Sequence, residues 1–374
     1  MSWEVIIVGA GPAGSTAAAT LAKAGHKVLL VDRADFPRAK ACGDAVPPPA
    51  MAVLRELDVE PLPFYYPERL VLVAPGGARI AQTARPDFRG GLVPRDQLDH
   101  ALVRAAERLG AERRRLEVTG TLRDADGRVL GVATSEGELR APIVIAADGA
   151  TSAVARSLGV TRRPEPCQSV ALRGYIDTPG HGARDLEIHF FDAAQPAYGW
   201  FFASGPGEAN VGIFLRTSVY KQSGRTLRAW LDEYLQRPEL RARTGGAELR
   251  DLMSWQLPLF DWDLPRVFDG ALLAGDAGAF INPFTGAGIQ EAMLTGRAAA
   301  VAASQALRSG DTSRAALHRY ETLWRAALGR EMTLSLRVQR LFTRAPWLMD
   351  VTFSLLGPFR GLTYFFGETV FGKA

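Results

Sequence analysis

Cysteine is nearly absent. Cys42 and Cys167 are the two in 374 residues, far apart and in no CxxC or metal-ligand spacing, which excludes a disulfide-stapled scaffold and makes a reducing compartment the default. Histidine is scarce as well: five residues with no HxxxH or HExxH pair, so no metal site is expected. Lysine stands only at positions 23, 27, 40, 221 and 373 among 44 basic residues. Against 40 acidic residues these leave a net charge of +4, so the pI of 9.2 reflects an ordinary mixed surface and no nucleic-acid partner is expected. The densest basic cluster, Arg113 to Arg115, follows a predicted helix and reads as a solvated turn. No run reaches the roughly 20 apolar residues of a membrane span. The N-terminus enters a glycine turn directly from Trp3-Glu4-Val5-Ile6-Ile7-Val8, with no basic n-region or cleavage site, so a cytoplasmic location is expected.

What is present is a large, strongly patterned apolar fraction: 47% hydrophobic residues and a mean hydropathy of −0.01. At about 150 residues per domain the length suggests two or three domains. Residues 4–32 read as strand, glycine turn, alanine-rich helix and second strand, a βαβ dinucleotide-binding unit. Helices are expected over 50–57 and 95–109, strands near 69–74 and 78–83, and a hairpin across 115–140 with Asp126-Gly127 at its turn. Pro142 to Ala147 reads as a buried parallel strand. From Gln168 the pattern shifts to antiparallel strands over 168–177, 185–192, 198–203 and 209–215. A helix over 225–236 and a strand near 255–260 follow, before Gly270–Ala274 returns to a buried parallel strand. The fold class expected is α/β: a Rossmann-like dinucleotide-binding domain, an inserted antiparallel-sheet substrate domain and a helical C-terminal region. The corresponding boundaries are 1–60, 90–165 and 265–310 for the first; 61–89 and 166–264 for the second; and 311–374 for the third.

Gly9-Ala10-Gly11-Pro12-Ala13-Gly14 follows a strand and opens a helix, and Asp32 closes the next strand. In that context the GxGxxG pattern is a strong signal. Gly9 permits the turn, Gly11 lets backbone approach a pyrophosphate, and Gly14 allows close helix packing, with helix N–H groups left to bind anion. A carboxylate at Asp32 would accept ribose hydroxyls and repel a 2′-phosphate, so the site suits FAD or NAD better than NADP. No second GxGxxG occurs, which disfavours a disulfide-reductase architecture. Asp148 and Gly275-Asp276 each end a predicted parallel strand, where ligands of open sheets bind. Gly286, Gly288 and Ile289 begin a helix that would point N–H groups at a reduced, anionic flavin; close packing accounts for the same glycines.

Together these motifs, spanning residues 9–289, resemble the p-hydroxybenzoate hydroxylase-type flavoproteins. Within that superfamily the stretch from Phe36 to Asp44, with Cys42-Gly43-Asp44, resembles the geranylgeranyl reductase family. So does Pro196-Ala197-Tyr198-Gly199-Trp200-Phe201-Phe202 with Asn210-Val211-Gly212. That family's pattern is YxWxFP followed by GxG, and here Ala203 replaces the proline and Phe214 the second glycine. The resemblance implies an FAD enzyme that takes electrons from NAD(P)H and saturates isoprenoid double bonds in lipid, quinone or chlorophyll precursors. Arg33, Lys40 and Arg95 join Gly9 to Gly14, Asp32, Asp148, Gly275-Asp276 and the Gly286 to Ile289 turn as expected cofactor contacts, with Arg38, Lys40 and Arg95 neutralising pyrophosphate or NAD(P)H phosphates.

The residues themselves give the same outline. Tyr198, Trp200 and Phe202 share one sheet face at period two, and His189 and Phe191 are expected beside them on a neighbouring strand. Such a wall can bind a long apolar substrate and steady positive charge on an alkene receiving hydride; residue by residue it reads equally well as sheet core. The resemblance places the loop after the second strand near the flavin and so implies Cys42 as proton donor or gate, with Asp44 and Tyr198 as weaker acids and Trp200 on the reacting alkene. Two rivals stand beside this reading: an aromatic hydroxylase or halogenase on the same fold, and a non-catalytic prenyl-lipid carrier. The aromatic-rich end, Trp347 to Phe371, is expected to pack in the core, cap a tunnel, join a homodimer or touch a membrane surface. A monomer or homodimer is expected.

Overall fold

The computed structural model describes residues 3–83, 90–160, 164–179, 184–193 and 195–356. Two sheets dominate it. The first has six strands in the order Val267–Phe268, Ala271–Leu273, Ile143–Ala146, Val5–Val8, Val28–Asp32, Glu112–Arg115. All but the first pair are parallel. The central strands Val5–Val8 and Ile143–Ala146 are apolar without alternation because both faces are covered, as parallel sheets require. On one face the helix Pro12–Lys23 lies against the helix Ile289–Ser309, backbone close to backbone. A Cβ on Gly296 would sit 2.1 Å from the Ala13 carbonyl oxygen, so small residues are obligatory at that crossing.

The second sheet has seven strands in the order Arg250–Pro258, Gln168–Asp177, Glu208–Arg216, Ala197–Gly205, Asp185–Phe190, Arg69–Val73, Arg79–Thr83. Every pairing is antiparallel except Asp185–Phe190 with Arg69–Val73. The early strands near residue 70 therefore join a sheet made mostly from residues a hundred positions later. The helices Leu227–Leu235 and Pro238–Thr244 cover one face, burying Leu231, Tyr234 and Leu240. The other face turns towards the first sheet.

Three expectations change. Arg113 to Arg115 are not a turn but most of the edge strand Glu112–Arg115. Their guanidiniums reach outward, Arg113 to Glu107, Arg115 to Asp35, and Arg114 over the Trp3 ring; charge on an edge strand discourages pairing with another chain. The expected hairpin gains a third strand, giving Val118–Arg123, Val129–Thr134 and Gly137–Arg140. The strand expected near 255–260 begins earlier, as Arg250–Pro258.

Beyond the helix Ile289–Ser309 the chain is helical over Arg319–Arg344 and Trp347–Leu356. Leu328, Met332, Ser335, Gln339 and Phe342 form the buried stripe of the longer helix, at the three- and four-residue spacing of one helical face. The last part of the expected aromatic-rich end, residues 357–374, lies outside the described residues.

Candidate active site

The dinucleotide turn is built by exclusion of side chains. Gly9 has φ +96°, and a Cβ there would lie 2.3 Å from the Ala147 carbonyl oxygen; on Gly14 it would lie 1.7 Å from that of Gly9. Gly9 N–H donates to Val31 O at 2.7 Å, tying the turn to the next strand. Asp32 adds a second tie, accepting from Ala10 N–H at 2.7 Å and Ala34 N–H at 2.9 Å. The helix Pro12–Lys23 starts without a side-chain cap, leaving first-turn N–H groups available to an anion.

A cavity of about 840 Å³ opens from this turn and runs between the two sheets. Gly9, Gly11, Pro12, Ala13, Asp32 and Arg33 line its first end, while Lys40, Arg95, Asp148, Asp276, Gly286, Gly288 and Ile289 line its middle. Gly14 and Gly275 stand behind the wall and act in packing: Gly275 N–H donates to Thr295 Oγ1 at 3.0 Å. Cys42, Tyr198, Trp200 and Phe202 line the far end. One continuous cavity thus joins the expected nucleotide, isoalloxazine and substrate positions.

His189 and Phe191 are not part of it. Tyr198 pairs with Phe190, and His189 with Gly199, so His189 shares the parity of Gly199 and Phe201 and points to the opposite sheet face. There it is fully buried, 3.2 Å from Glu187 and 3.4 Å from Arg237, with its ring 5.5 Å from that of Tyr234. Glu187 is also held by Arg243. Phe191 follows the strand's end and stacks on Trp230. Leu186 and Ile188 stand in the cavity wall instead of these two residues.

Arg95 lines the cavity with its guanidinium already held by a carboxylate. Its guanidinium makes a two-point pair with the fully buried Asp99, at 2.8 and 2.9 Å, and Arg38 reaches the same carboxylate at 3.3 Å. Burial works against the Arg95 charge, and Asp99 more than offsets it. Lys40 lies 3.3 Å over the Trp255 ring, and desolvation lowers its pKa to about 7 although Asp276 draws the other way. Asp148 accepts from Ala153 N–H at 2.8 Å, at the start of the short helix Ala153–Ser157 that Ser152 caps. Its other carboxylate oxygen, Oδ1, is buried with no hydrogen-bond partner.

The far end is assembled by Asn210, which sequence reasoning quoted only as part of a motif. Its Oδ1 accepts from Trp200 Nε1–H at 2.9 Å, and its Nδ2 donates to Cys42 O at 2.9 Å and Asp44 Oδ2 at 2.8 Å. Tyr175 O–H donates to the same Asp44 oxygen at 2.5 Å. One amide therefore fixes the Cys42 loop against the aromatic strand. Burial pushes the Asp44 carboxyl up to about 6, against the pull of Tyr175, Arg173 and Asn210. Burial also raises the Cys42 thiol, although Arg95 lowers it. Tyr198 O–H is spent on the Thr285 carbonyl at 2.5 Å, and its burial raises its pKa. It holds the 282–288 loop rather than presenting a proton. Gly286 is glycine because a Cβ there would lie 2.6 Å from that hydroxyl, and Gly212 because one there would lie 2.3 Å from the Trp200 ring. Phe214, standing where the family pattern has glycine, stacks on Tyr198 at 5.3 Å and lines the cavity.

Sequence reasoning missed Asp99, Tyr175 and Arg173; only Asp99 left a local signal, four residues after Arg95. Behind the loop, Glu291 is fully buried with neither oxygen partnered, and burial pushes it and nearby Glu331 up.

A glycine cradle at two helix starts, an unpartnered buried carboxylate oxygen on Asp148 and a cavity of cofactor-and-substrate size fit a dinucleotide flavin. These features define a flavoprotein oxidoreductase. The chain belongs to the FAD-binding domain family, whose model matches residues 2–333, and within it to the geranylgeranyl reductase type. It is 34% identical to the menaquinone reductase of Mycobacterium tuberculosis strain H37Rv, over 91% of this chain and 84% of that protein. It is 32% identical to digeranylgeranylglycerophospholipid reductase 2 of Methanopyrus kandleri, over 92% of this chain and 87% of that protein. Among solved structures, a geranylgeranyl bacteriochlorophyll reductase-like protein of Thermoplasma acidophilum superposes with a TM-score of 0.84 at 25% identity, covering 95% of this chain and 90% of that one. A flavin-dependent brominase shares the fold alone, with a TM-score of 0.81 at 21% identity over 100% of this chain and 94% of that one.

Proposed function

We propose that this flavoenzyme uses electrons from NAD(P)H to reduce C=C bonds in the prenyl chain of a lipid or quinone. The observation that carries the reading is the single cavity in which the Tyr198, Trp200 and Phe202 wall meets the Cys42 loop. Relatives named for menaquinone and for digeranylgeranylglycerophospholipid support the substrate class. FAD, when bound, supplies hydride to one alkene carbon. The cradle of Gly9, Gly11, Asp32 and the helix start at Pro12 would hold its adenosine and pyrophosphate, with Arg33 and Lys40 beside them and Asp148, Asp276 and Gly286 to Ile289 along the rest. Trp200 and Phe202 orient the chain and exclude water. Their ring faces steady, by about 0.5–2 kcal/mol, the positive charge that builds on the carbon receiving hydride as a proton reaches the second carbon. The Cys42 thiol, kept protonated by burial, gives the proton that carbon needs. Tyr198 sets the loop that frames the reacting end.

The nucleotide half is assigned to residues 1–60, 90–165 and 265–310 and the substrate half to 61–89 and 166–264. Among the described residues no helix is long and apolar enough to cross a membrane. In this reading a lipid substrate is met by peripheral contact, by a monomer or homodimer. The test is anaerobic: bound FAD bleached by NAD(P)H or dithionite is reoxidised on adding a polyprenyl lipid or quinone, and the product gains two hydrogens per bond. A hydroxylated or halogenated product made only in air would replace this reading with the monooxygenase one.

A further inference from the structure

Six large apolar side chains are exposed among the described residues, and four of them, Leu341, Trp347, Val351 and Leu355, fall within one short stretch. Trp347, Val351 and Leu355 are 64%, 43% and 64% exposed and recur every four residues, one stripe along the helix Trp347–Leu356. The opposite stripe, Met349 and Phe353, is buried. This helix is therefore apolar on both sides, with only one side used by the fold. Its single charged residue, Asp350, is occupied in accepting from Gly76 N–H at 2.8 Å. On the preceding helix the exposed face at the same end carries Arg337, Arg340, Leu341 and Arg344. Among the described residues none of these three arginines is in an ion pair.

We infer that this corner, the end of Arg319–Arg344 together with the outer stripe of Trp347–Leu356, docks on a bilayer surface with anionic headgroups. Apolar side chains with a tryptophan would enter the headgroup boundary while flanking arginines keep their heads among the phosphates. A second copy of the chain fits less well, because a two-fold contact through this patch brings its three unpaired arginines against their own copies. The corner is also joined to the cavity by aromatic packing. Phe353 meets Phe190 edge-on at 6.1 Å, and Phe190 meets Tyr198, in the cavity wall, at 6.0 Å. The inference rests on the reading that the substrate is a membrane-resident prenyl lipid, for which docking here shortens the route to the cavity.

The test is flotation of the FAD-loaded enzyme with substrate-free vesicles, either phosphatidylcholine alone or equal parts phosphatidylcholine and phosphatidylglycerol. The enzyme floats with the anionic vesicles about tenfold more than with the neutral ones, and high salt releases it. Two variants, Trp347→Ser/Val351→Ser/Leu355→Ser and Arg337→Gln/Arg340→Gln/Arg344→Gln, each lose flotation by about tenfold while keeping flavin content and Tm. Equal flotation of either variant and the parent overturns the inference. So does a parent dimer that the serine variant dissolves, or flotation that appears only after residues 357–374 are removed. Because the vesicles hold no substrate, docking is read independently of chemistry. Reoxidation by a short, soluble prenyl chain, unchanged in both variants, reports the proposed reaction on its own.

Discussion

The two faces of the seven-stranded sheet are made from alternate residues of the same strands, yet they do different physical work. One face carries Ile188, Tyr198, Trp200 and Phe202 against the cavity. The other buries Glu187 and His189 under two helices, where the half-buried Arg237 and Arg243 meet them. The difference teaches that one sheet can present neutral aromatics to a cavity and still hold a paired carboxylate within the apolar packing of its back. Neutral aromatics leave a wall that accepts an apolar chain. Buried charges have few alternative partners, so they pin the sheet in one arrangement.

If that division holds, changes on the cavity side cost turnover and changes on the back cost stability. Cys42→Ser, at the loop clamped to the cavity face, lowers the rate of anaerobic reoxidation by about 10²–10⁴-fold with FAD retained; an unchanged rate reduces Cys42 to packing. Trp200→Ala lowers kcat/KM for the prenyl substrate by about 30-fold or more, roughly the 2 kcal/mol of a buried aromatic anchor. Glu187→Gln removes the charged partner of the half-buried Arg243 and costs about 1–3 kcal/mol in urea unfolding, with turnover per bound flavin unchanged. A loss of turnover in that folded variant would break the comparison.

The faces also respond oppositely to pH. Asp44, on the cavity side, is raised by burial to about 6. The native state then holds a proton that the unfolded chain has released, so this contribution is full below about pH 4 and is lost as pH rises through about 6. Retaining that proton is worth about 3 kcal/mol, and Asp44→Asn flattens the fall in a Tm-against-pH series. For Glu187 burial works upward, but hydrogen bonds from His189 and Arg243 prevail and hold it below the usual carboxylate range. Its contribution is full above about pH 4.3 and is lost as pH falls through the native pKa, so Glu187→Gln narrows its deficit in acid. The smallest effect is expected at Phe214, where Phe214→Leu widens the cavity beside Tyr198 and shifts relative kcat/KM towards bulkier chains by about tenfold.

How much of this was legible in the sequence follows from the reach of each interaction. The parallel strands announced themselves as unbroken apolar runs, and the glycine turn as a spacing with fixed neighbours. The aromatic wall was legible because period two puts Tyr198, Trp200 and Phe202 on one face. Period two does not say which residue of the next strand shares that face. That depends on register, and a one-residue offset sent His189 to the back. The partners of Asp44 and Cys42 were illegible for another reason: Tyr175 and Asn210 meet them across more than a hundred residues, with no local pattern to mark the meeting. The edge strand Glu112–Arg115 hid because an edge tolerates charge that a central strand would not.

Asn210 has one more consequence. Its carbonyl oxygen takes the indole N–H of Trp200 while its amide grips the loop below, so swinging the indole aside would strand a buried oxygen at about 1–3 kcal/mol. Gly212 leaves just the space that the ring occupies. Trp200 is thus a fixed ruler in the cavity, not a door; in the proposed reaction an incoming chain is measured against it, and the give comes from Phe202, which is only half-buried.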